Sequence, residues 1–488
     1  MAESERAAIR MLQTGVPGFD QVLGGGLPEY SFNVIAGSAG AGKTTLAQQI
    51  IFANATAQAP ALFFTVLGEP TLKLMRYQQQ FGFFKPEMVG SSVHVHNLSE
   101  EALHEDTGKV LERIVSEVER TRPGIVVVDS FRTIVPEFGD DQRAGRTLQD
   151  FVQRLAIHLT SWEVTSFLIG EYAERELRNP VFTVADGVVW LNQATDRNSV
   201  VRKLQVVKMR GSAPMPGLHT FKITDAGVQV FPRIPKALQE FRSGARVRTT
   251  SGIPALDAMM DGGIHQGDAV MVSGPAGTGK TLFGTQFISG GVQHGERGII
   301  AVFEEHPEAF LSRVENVGPD LRAMVDSGDV EMIYLRPLDL SVDETLDEIR
   351  QCVDRSGARR VVIDSLSGFR IALAPTFRED FKESLYRLVR ALTASGVSVM
   401  LIAEVLAAAG DLRFTSDEVS FVTDDLIALR FFEADGQLRK VLTIVKMRGS
   451  NHSHDLREFE IGQAGVIIGE ALTDFRGVIT GVPTKIDE

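Results

Sequence analysis

The sequence is almost without cysteine: Cys352 is the one thiol in 488 residues. A single thiol excludes an intramolecular disulfide and a thiolate-held metal cluster. With no activating base beside it in the sequence, Cys352 reads as a small packing residue. Basic charge is also short, with 50 Lys and Arg against 63 Asp and Glu, for a net charge of −13. That balance argues against a broad nucleic-acid surface, which needs concentrated cations, while leaving room for a narrow basic channel. No apolar run approaches the roughly 20 residues that cross a bilayer. The opening MAESERAAIR carries acids where a secretory leader would be apolar. A cytoplasmic chain without membrane association is therefore expected. Core-forming residues are plentiful: 43% of the chain is hydrophobic and 23% charged, the balance of a globular protein. Its length suits two domains of roughly 240 residues each.

The chain is written twice. Gly37-Ser38-Ala39-Gly40-Ala41-Gly42-Lys43-Thr44 returns, one domain-length later, as Gly274-Pro275-Ala276-Gly277-Thr278-Gly279-Lys280-Thr281. The apolar run ending in Asp129-Ser130 returns at nearly the same offset, ending in Asp364-Ser365. Val207-Lys208-Met209-Arg210-Gly211-Ser212 likewise returns as Val445-Lys446-Met447-Arg448-Gly449-Ser450. Three motifs in one order at nearly one spacing mark the duplication of a whole domain. We expect a first domain at 1–232, a linker at 233–248 and a second domain at 249–488. The linker holds Arg233, Lys236, Arg242, Arg246 and Arg248 against one acid, Glu240. It reads as a solvated connection or as a belt along a neighbour.

Within each copy, β-rich apolar runs alternate with amphipathic stretches, which predicts an α/β fold with a mainly parallel sheet flanked by helices. Residues 31–36, 61–67, 124–128 and 166–169 read as buried strands, with counterparts at 269–273, 298–303, 360–363 and 397–402. Residues 45–57, 106–119 and 148–159 read as helices. Residues 187–192, 203–209 and 219–224 look like antiparallel additions.

The pattern GxxxxGK[ST] between a strand and a helix is a phosphate loop, or P-loop. Its glycines let successive backbone N–H groups point at phosphate oxygens. The helix that continues through Thr45, or Leu282 in the second copy, offers its positive dipole end to the same anion. Lys43 and Lys280 are placed to neutralise ATP phosphates, and Thr44 and Thr281 to offer hydroxyls to Mg²⁺. Asp129 and Asp364, at strand ends, are expected to orient that metal through water. Turnover needs one more group, a carboxylate that aims or deprotonates the attacking water or hydroxyl. The second copy supplies Glu304 and Glu305 before His306-Pro307. In the same register before Pro70, the first copy has Leu67 and Gly68, with Glu69 one position late. Glu171 and Glu404 close a further pair of matching strands, as phosphate sensors or as loop supports.

Together these residues resemble the KaiC family of clock ATPases and autokinases and their bacterial relatives. The resemblance runs from about Gly15 to Ile486, with Lys446-Met447-Arg448-Gly449-Ser450 its most specific part. It implies tandem RecA-like domains in six subunits stacked as a double ring, with ATP between neighbours. It also implies that Lys208 with Arg210, and Lys446 with Arg448, reach phosphates on the adjacent subunit. Residues two apart on a strand share a face, which suits such a pair. The family phosphorylates a neighbouring Ser–Thr pair in its second domain. Ser420 matches the Ser and Phe421 falls on the Thr, leaving Ser420 and Thr415 as candidate acceptors. The family's clock protein continues into a tail that recruits KaiA, whereas this sequence stops at Glu488, so a KaiA-like partner is not expected. A KaiB-like partner is compatible with the resemblance.

The favoured expectation is an oligomeric ATPase with serine/threonine autokinase activity in its second domain, serving signalling or timing. Two other classes compete. One is a nucleotide-gated scaffold with little turnover. The other is a RecA-type DNA motor, for which the only basic residues soon after the aspartates are Arg132, Arg143, Arg146, Arg370 and Arg378.

Overall fold

The computed structural model describes residues 9–66, 76–99, 107–131, 142–172, 180–196, 199–233, 247–335, 341–373, 381–405, 421–434, 436–478 and 483–485. It divides into two compact units, Met1–Arg233 and Ile234–Glu488. Most of the expected linker, 234–246, lies outside the described residues.

The first unit is built on β1 (Phe32–Gly37), α1 (Lys43–Asn54), β2 (Ala61–Thr65), β3 (Val93–Asn97), α2 (Thr107–Thr121), β4 (Ile125–Asp129), α3 (Gln142–Ser161), β5 (Thr165–Glu171), β6 (Gly187–Asp196), β7 (Ser199–Met209), β8 (His219–Thr224) and β9 (Gly227–Phe231). They form one nine-stranded sheet in the order β3-β2-β4-β5-β1-β6-β7-β8-β9. The six strands from β3 to β6 are parallel, and β7 to β9 extend the sheet as antiparallel ribbons.

Strand periodicity explains the layers. Leu62 and Phe64 of β2, Val126 and Val128 of β4, and Leu168 of β5 pack with Val110, Ile114 and Val118 of α2 and Phe151 and Leu155 of α3. The alternate residues Phe63, Val127, Phe167 and Ile169 pack on the other face with Leu46, Ala47, Ile50 and Ile51 of α1. Both faces of these strands are covered, which is why they read as unbroken apolar runs. α2 is amphipathic because it covers one face only. α1 is buried nearly all round.

The second unit repeats the plan with β10 (Ala269–Gly274), α4 (Lys280–Val292), β11 (Gly298–Val302), α5 (Pro307–Val314), α6 (Leu321–Asp326), β12 (Val330–Tyr334), α7 (Val342–Ser356), β13 (Arg360–Asp364), α8 (Leu366–Ala372), α9 (Phe381–Ala394), β14 (Ser398–Glu404), β15 (Asp425–Ala434), β16 (Gln437–Met447), β17 (Arg457–Gly462) and β18 (Gly465–Ala471). The sheet order is β12-β11-β13-β14-β10-β15-β16-β17-β18, the first unit's order element for element. Local signals set the helix ends: Ser341 caps α7 by accepting the Glu344 amide at 3.1 Å, and Gly357 closes it at φ 70°.

Several expectations are corrected. The helix after each phosphate loop starts at the lysine itself, because Gly42 and Gly279 take the left-handed cap position at φ 93° and 95°. β11 ends at Val302, so Glu304 and Glu305 lie in the loop beyond it. β2 ends at Thr65, and Leu67 lies outside the described residues. Gly187–Asp196 is antiparallel to β7 but parallel to β1. A short apolar run carries no signal for strand direction, which its pairing partners decide.

Candidate active sites

Both phosphate loops leave the C-terminal end of the strand that sits between β5 and β6, or between β14 and β15. Gly37, Gly40 and Gly42 hold φ values of 144°, 72° and 93°, and Gly277 and Gly279 hold 82° and 95°. A side chain on Gly37 would put a Cβ 1.8 Å from the Leu191 carbonyl oxygen, so the loop can pass only as glycine. Ala41 and Thr278 are buried beneath the loops. Lys43 Nζ donates to the carbonyls of Gly37 at 3.1 Å and Ser38 at 2.7 Å. Lys280 Nζ donates to Pro275 O at 2.7 Å, and Thr278 Oγ1 donates to the same oxygen at 2.8 Å. Burial holds both ammonium groups below the usual lysine range. Glu171 and Asp129 oppose that shift at Lys43, and Glu404, Asp364 and Glu304 oppose it at Lys280.

Asp129 and Asp364 are the last residues of β4 and β13, and each is followed by a cis peptide. Thr44 Oγ1 donates to Asp129 Oδ2 at 2.6 Å, and the Thr281 hydroxyl lies beside the Asp364 carboxyl. Burial pushes each carboxyl up to about 6, against the pull of those hydroxyls. Asp364 Oδ2 is buried with no hydrogen-bond partner among the described residues. A hydroxyl beside a carboxylate with one uncommitted oxygen is a donor set that suits Mg²⁺, a hard cation that keeps part of its water shell.

The strand order brings four functional positions into a row. Gly274 of β10 is the in-register neighbour of Glu404 on β14, and β14 flanks β13, which ends in Asp364. Asp364 is in turn the in-register neighbour of Val302, two residues before Glu304. The first unit repeats this with Gly37 beside Glu171 and Asp129 beside Thr65. Ligands of open parallel sheets bind at these carboxyl ends, where a crossover reverses the strand order.

Glu304 and Glu305 are adjacent in sequence but differently engaged. Ser365 Oγ donates to Glu304 Oε1 at 2.6 Å. Glu305 Oε1 accepts from Arg313 Nε at 3.1 Å and from its Nη2, an ion pair that folds it towards α5. The two acids therefore have separate partners.

Arg210 and Arg448 lie one residue beyond β7 and β16, and burial first, then the charge of the nearby Arg210 or Arg448, holds the Lys208 and Lys446 ammonium groups below the usual lysine range. Both ribbons also slip register at this point, between Val188 and Val189 and between Leu426 and Ile427. Within the chain, Lys208 Nζ donates to the carbonyls of Phe182, Thr183 and Ala185, and Lys446 Nζ to that of Thr423. Arg210 pairs with Asp186 at 3.2 Å, and Arg448 with Asp424 at 3.6 Å. The candidate acceptors Ser420 and Thr415 lie outside the described residues. Phe421 is half exposed, its ring 6.1 Å from that of Tyr386.

The family model described as "ATPase: KaiC" matches residues 12–234 and again 249–473. The chain belongs to the KaiC ATPase family. It is 29% identical over 497 residues to the Circadian clock protein KaiC3 of Synechocystis sp., covering 99% of this chain and 96% of that one. It is 26% identical to the Circadian clock oscillator protein KaiC of Synechococcus elongatus, and 26% to that of Rippkaea orientalis. Each of these alignments covers 99% of this chain and 93% of the relative.

As a KaiC-family ATPase of two RecA-like repeats, the chain carries its nucleotide-binding motifs at matching strand ends of both sheets. Sequence reading missed Ser365 as a partner of Glu304. The serine that follows the aspartate in both copies, Ser130 and Ser365, was the available signal. It also missed Arg313, whose hold on Glu305 comes from the helix that follows. Cys352 is buried and its thiol is pushed up to about 12, chiefly by burial, as suits a packing residue. Among the described residues no helix is long and apolar enough to cross a membrane.

Proposed function

We propose that this KaiC-family protein hydrolyses ATP mainly in its second domain, with Glu304 acting on the attacking water or hydroxyl. The observation that carries this reading is the row Gly274, Glu404, Asp364 and Glu304 at the carboxyl ends of adjacent strands. The phosphate loop and Lys280 bind the triphosphate. Thr281, and Asp364 through water, would hold Mg²⁺, which supplies charge neutralisation on the transferring phosphoryl group when bound. Glu304, oriented by Ser365, accepts a proton from the nucleophile. The first domain carries the corresponding loop, Lys43, Thr44 and Asp129, and serves mainly to hold nucleotide.

In this proposal Lys446 and Arg448, and Lys208 and Arg210, exchange their in-chain partners for the phosphates of a neighbouring subunit in a hexameric double ring. Autophosphorylation of Ser420 or Thr415 is the finer part of the reading. It is supported by the likeness to KaiC relatives and by the matching serine in sequence. Those relatives are named as clock proteins, which motivates a role in signalling or timing and a KaiB-like partner.

The test is a chain with Glu304 and Glu305 both changed to Gln. ATP turnover should fall by about 100-fold or more, the typical share of a general base, while ATP still binds. Turnover equal to the parent's would refute the assignment. Phosphate mapping after incubation with Mg-ATP, repeated on Ser420→Ala, tests the kinase part.

A further inference from the structure

Glu304 is held by an arrangement that the first domain does not reproduce in sequence. Ser365 Oγ, buried at the start of α8, accepts the Gly368 amide at 3.1 Å and donates to Glu304 Oε1 at 2.6 Å. One hydroxyl thus ties the helix start to the carboxylate. Gly368 lies directly against the acid: a Cβ built there would sit 2.6 Å from Glu304 Cγ and 2.7 Å from its Oε1. Gly368 is not at positive φ, so backbone geometry alone would admit another residue. What it provides is space. The groups in conflict are the flexible end of Glu304 and a helix backbone packed in the core, where Phe369 is fully buried. A larger residue at 368 would therefore displace the glutamate and leave the helix in place.

We propose that Ser365 and Gly368 are positioning residues for Glu304, and that a side chain at position 368 decides whether this carboxylate can be aimed at the phosphate site. The inference rests on the reading of Glu304 as the acting base. The duplication supplies a second observation. The spacing that relates Asp364 to Asp129 makes Ser130 the counterpart of Ser365 and Thr133 the counterpart of Gly368. Leu67 is the counterpart of Glu304. The first copy keeps the serine but has neither the acid nor the glycine, so the two losses occur together. Leu67 and Thr133 lie outside the described residues, and this correspondence is one of sequence register alone.

The experiment uses the full-length chain with Gly368→Thr, Ser365→Ala and Glu304→Gln, alone and with each of the first two combined with the third. It measures kcat and KM for ATP and the affinity for a fluorescent ATP analogue. Gly368→Thr is expected to remove at least nine-tenths of the turnover that Glu304→Gln removes, with analogue affinity within about twofold of the parent. Ser365→Ala is expected to lower kcat by about 10-fold with KM little changed. In the Glu304→Gln background neither change should lower turnover further, because their effect passes through the absent carboxylate.

Parental kcat in Gly368→Thr, or an equal further loss in the Glu304→Gln background, overturns the inference while leaving Glu304 as the base. Parental turnover in Glu304→Gln overturns both.

Discussion

Lys43, the first residue of α1, and Glu171, the last residue of β5, approach to 3.9 Å. The lysine is buried and the carboxylate largely exposed, so the acid meets the one cation that the first phosphate loop presents. Glu404 stands in the same register to Gly274 in the second domain. Its charge is the strongest of those opposing the effect of burial on Lys280.

Glu171→Gln should free Lys43 for phosphate and tighten nucleotide binding at the first site by about two- to fivefold, a modest effect because exposed pairs are weak. Titration of a fluorescent ATP analogue into chains carrying Lys280→Ala reads the first site alone. Weaker binding in the variant would mean instead that Glu171 helps to hold the nucleotide.

Single substitutions should separate the paired acids. Glu305 is held by Arg313, whereas Glu304 accepts from a neutral serine at the strand ends. Glu304→Gln should lower kcat by about 100-fold or more, and Glu305→Gln by less than about 10-fold. Steady-state phosphate release checks this, and a reversed order would move the base to Glu305.

Asp425 should make stability depend on pH. It is fully buried, and among the described residues neither carboxylate oxygen has a hydrogen bond of ordinary geometry. Burial first, then Asp268 and Asp424, push its carboxyl up to about 7, against the Arg448 amide and Lys446. The folded chain therefore holds this proton more tightly than the unfolded chain, whose carboxyl titrates near 3.8. The group's contribution to stability falls as pH rises from about 4 to about 7 and is constant above that. Asp425→Asn should narrow the difference in Tm between pH 5 and pH 8, as measured by thermal melts of the full chain. An unchanged difference would remove Asp425 as its source.

Arg360 is a buried clamp in the second domain, where the first has Ile125. Its guanidinium donates to Glu296 at 2.6 Å and to the carbonyls of Thr250 at 2.8 Å and Phe287 at 2.6 Å. It also lies 4.7 Å from the centre of the Phe287 ring. Arg360→Ala strands Glu296 and two carbonyls and should destabilise by about 3–5 kcal/mol. Denaturant unfolding of the full chain measures the loss, and a cost below about 1 kcal/mol would show that water or neighbours replace the clamp.

The nucleotide chemistry was legible because it depends on contiguous residues. A phosphate loop needs glycines at fixed steps and a lysine at the helix start, and an apolar strand ending in an acid marks the position proposed to orient the metal. That Leu67 and Gly68 stand in the first copy where the second has Glu304 and Glu305 was equally legible. The register slip and the strand end beside Lys208 and Arg210 were not legible, because the pairing partner sets them.

By itself the sequence determined the duplication, the two sheets of alternating strands and helices, and which copy has paired glutamates before the matching proline. Only the tertiary structure decided the neighbours. Gly274 meets Glu404, far along the chain, because parallel strands must be joined by crossovers and the order β14-β10 is not the order of the chain. Ser365 holds Glu304 and Arg313 holds Glu305 because hydrogen bonds form between groups that the fold brings within about 3 Å. That separation of two adjacent glutamates is a property of the loop between β11 and α5, where no repeating pattern in the sequence sets where a side chain points.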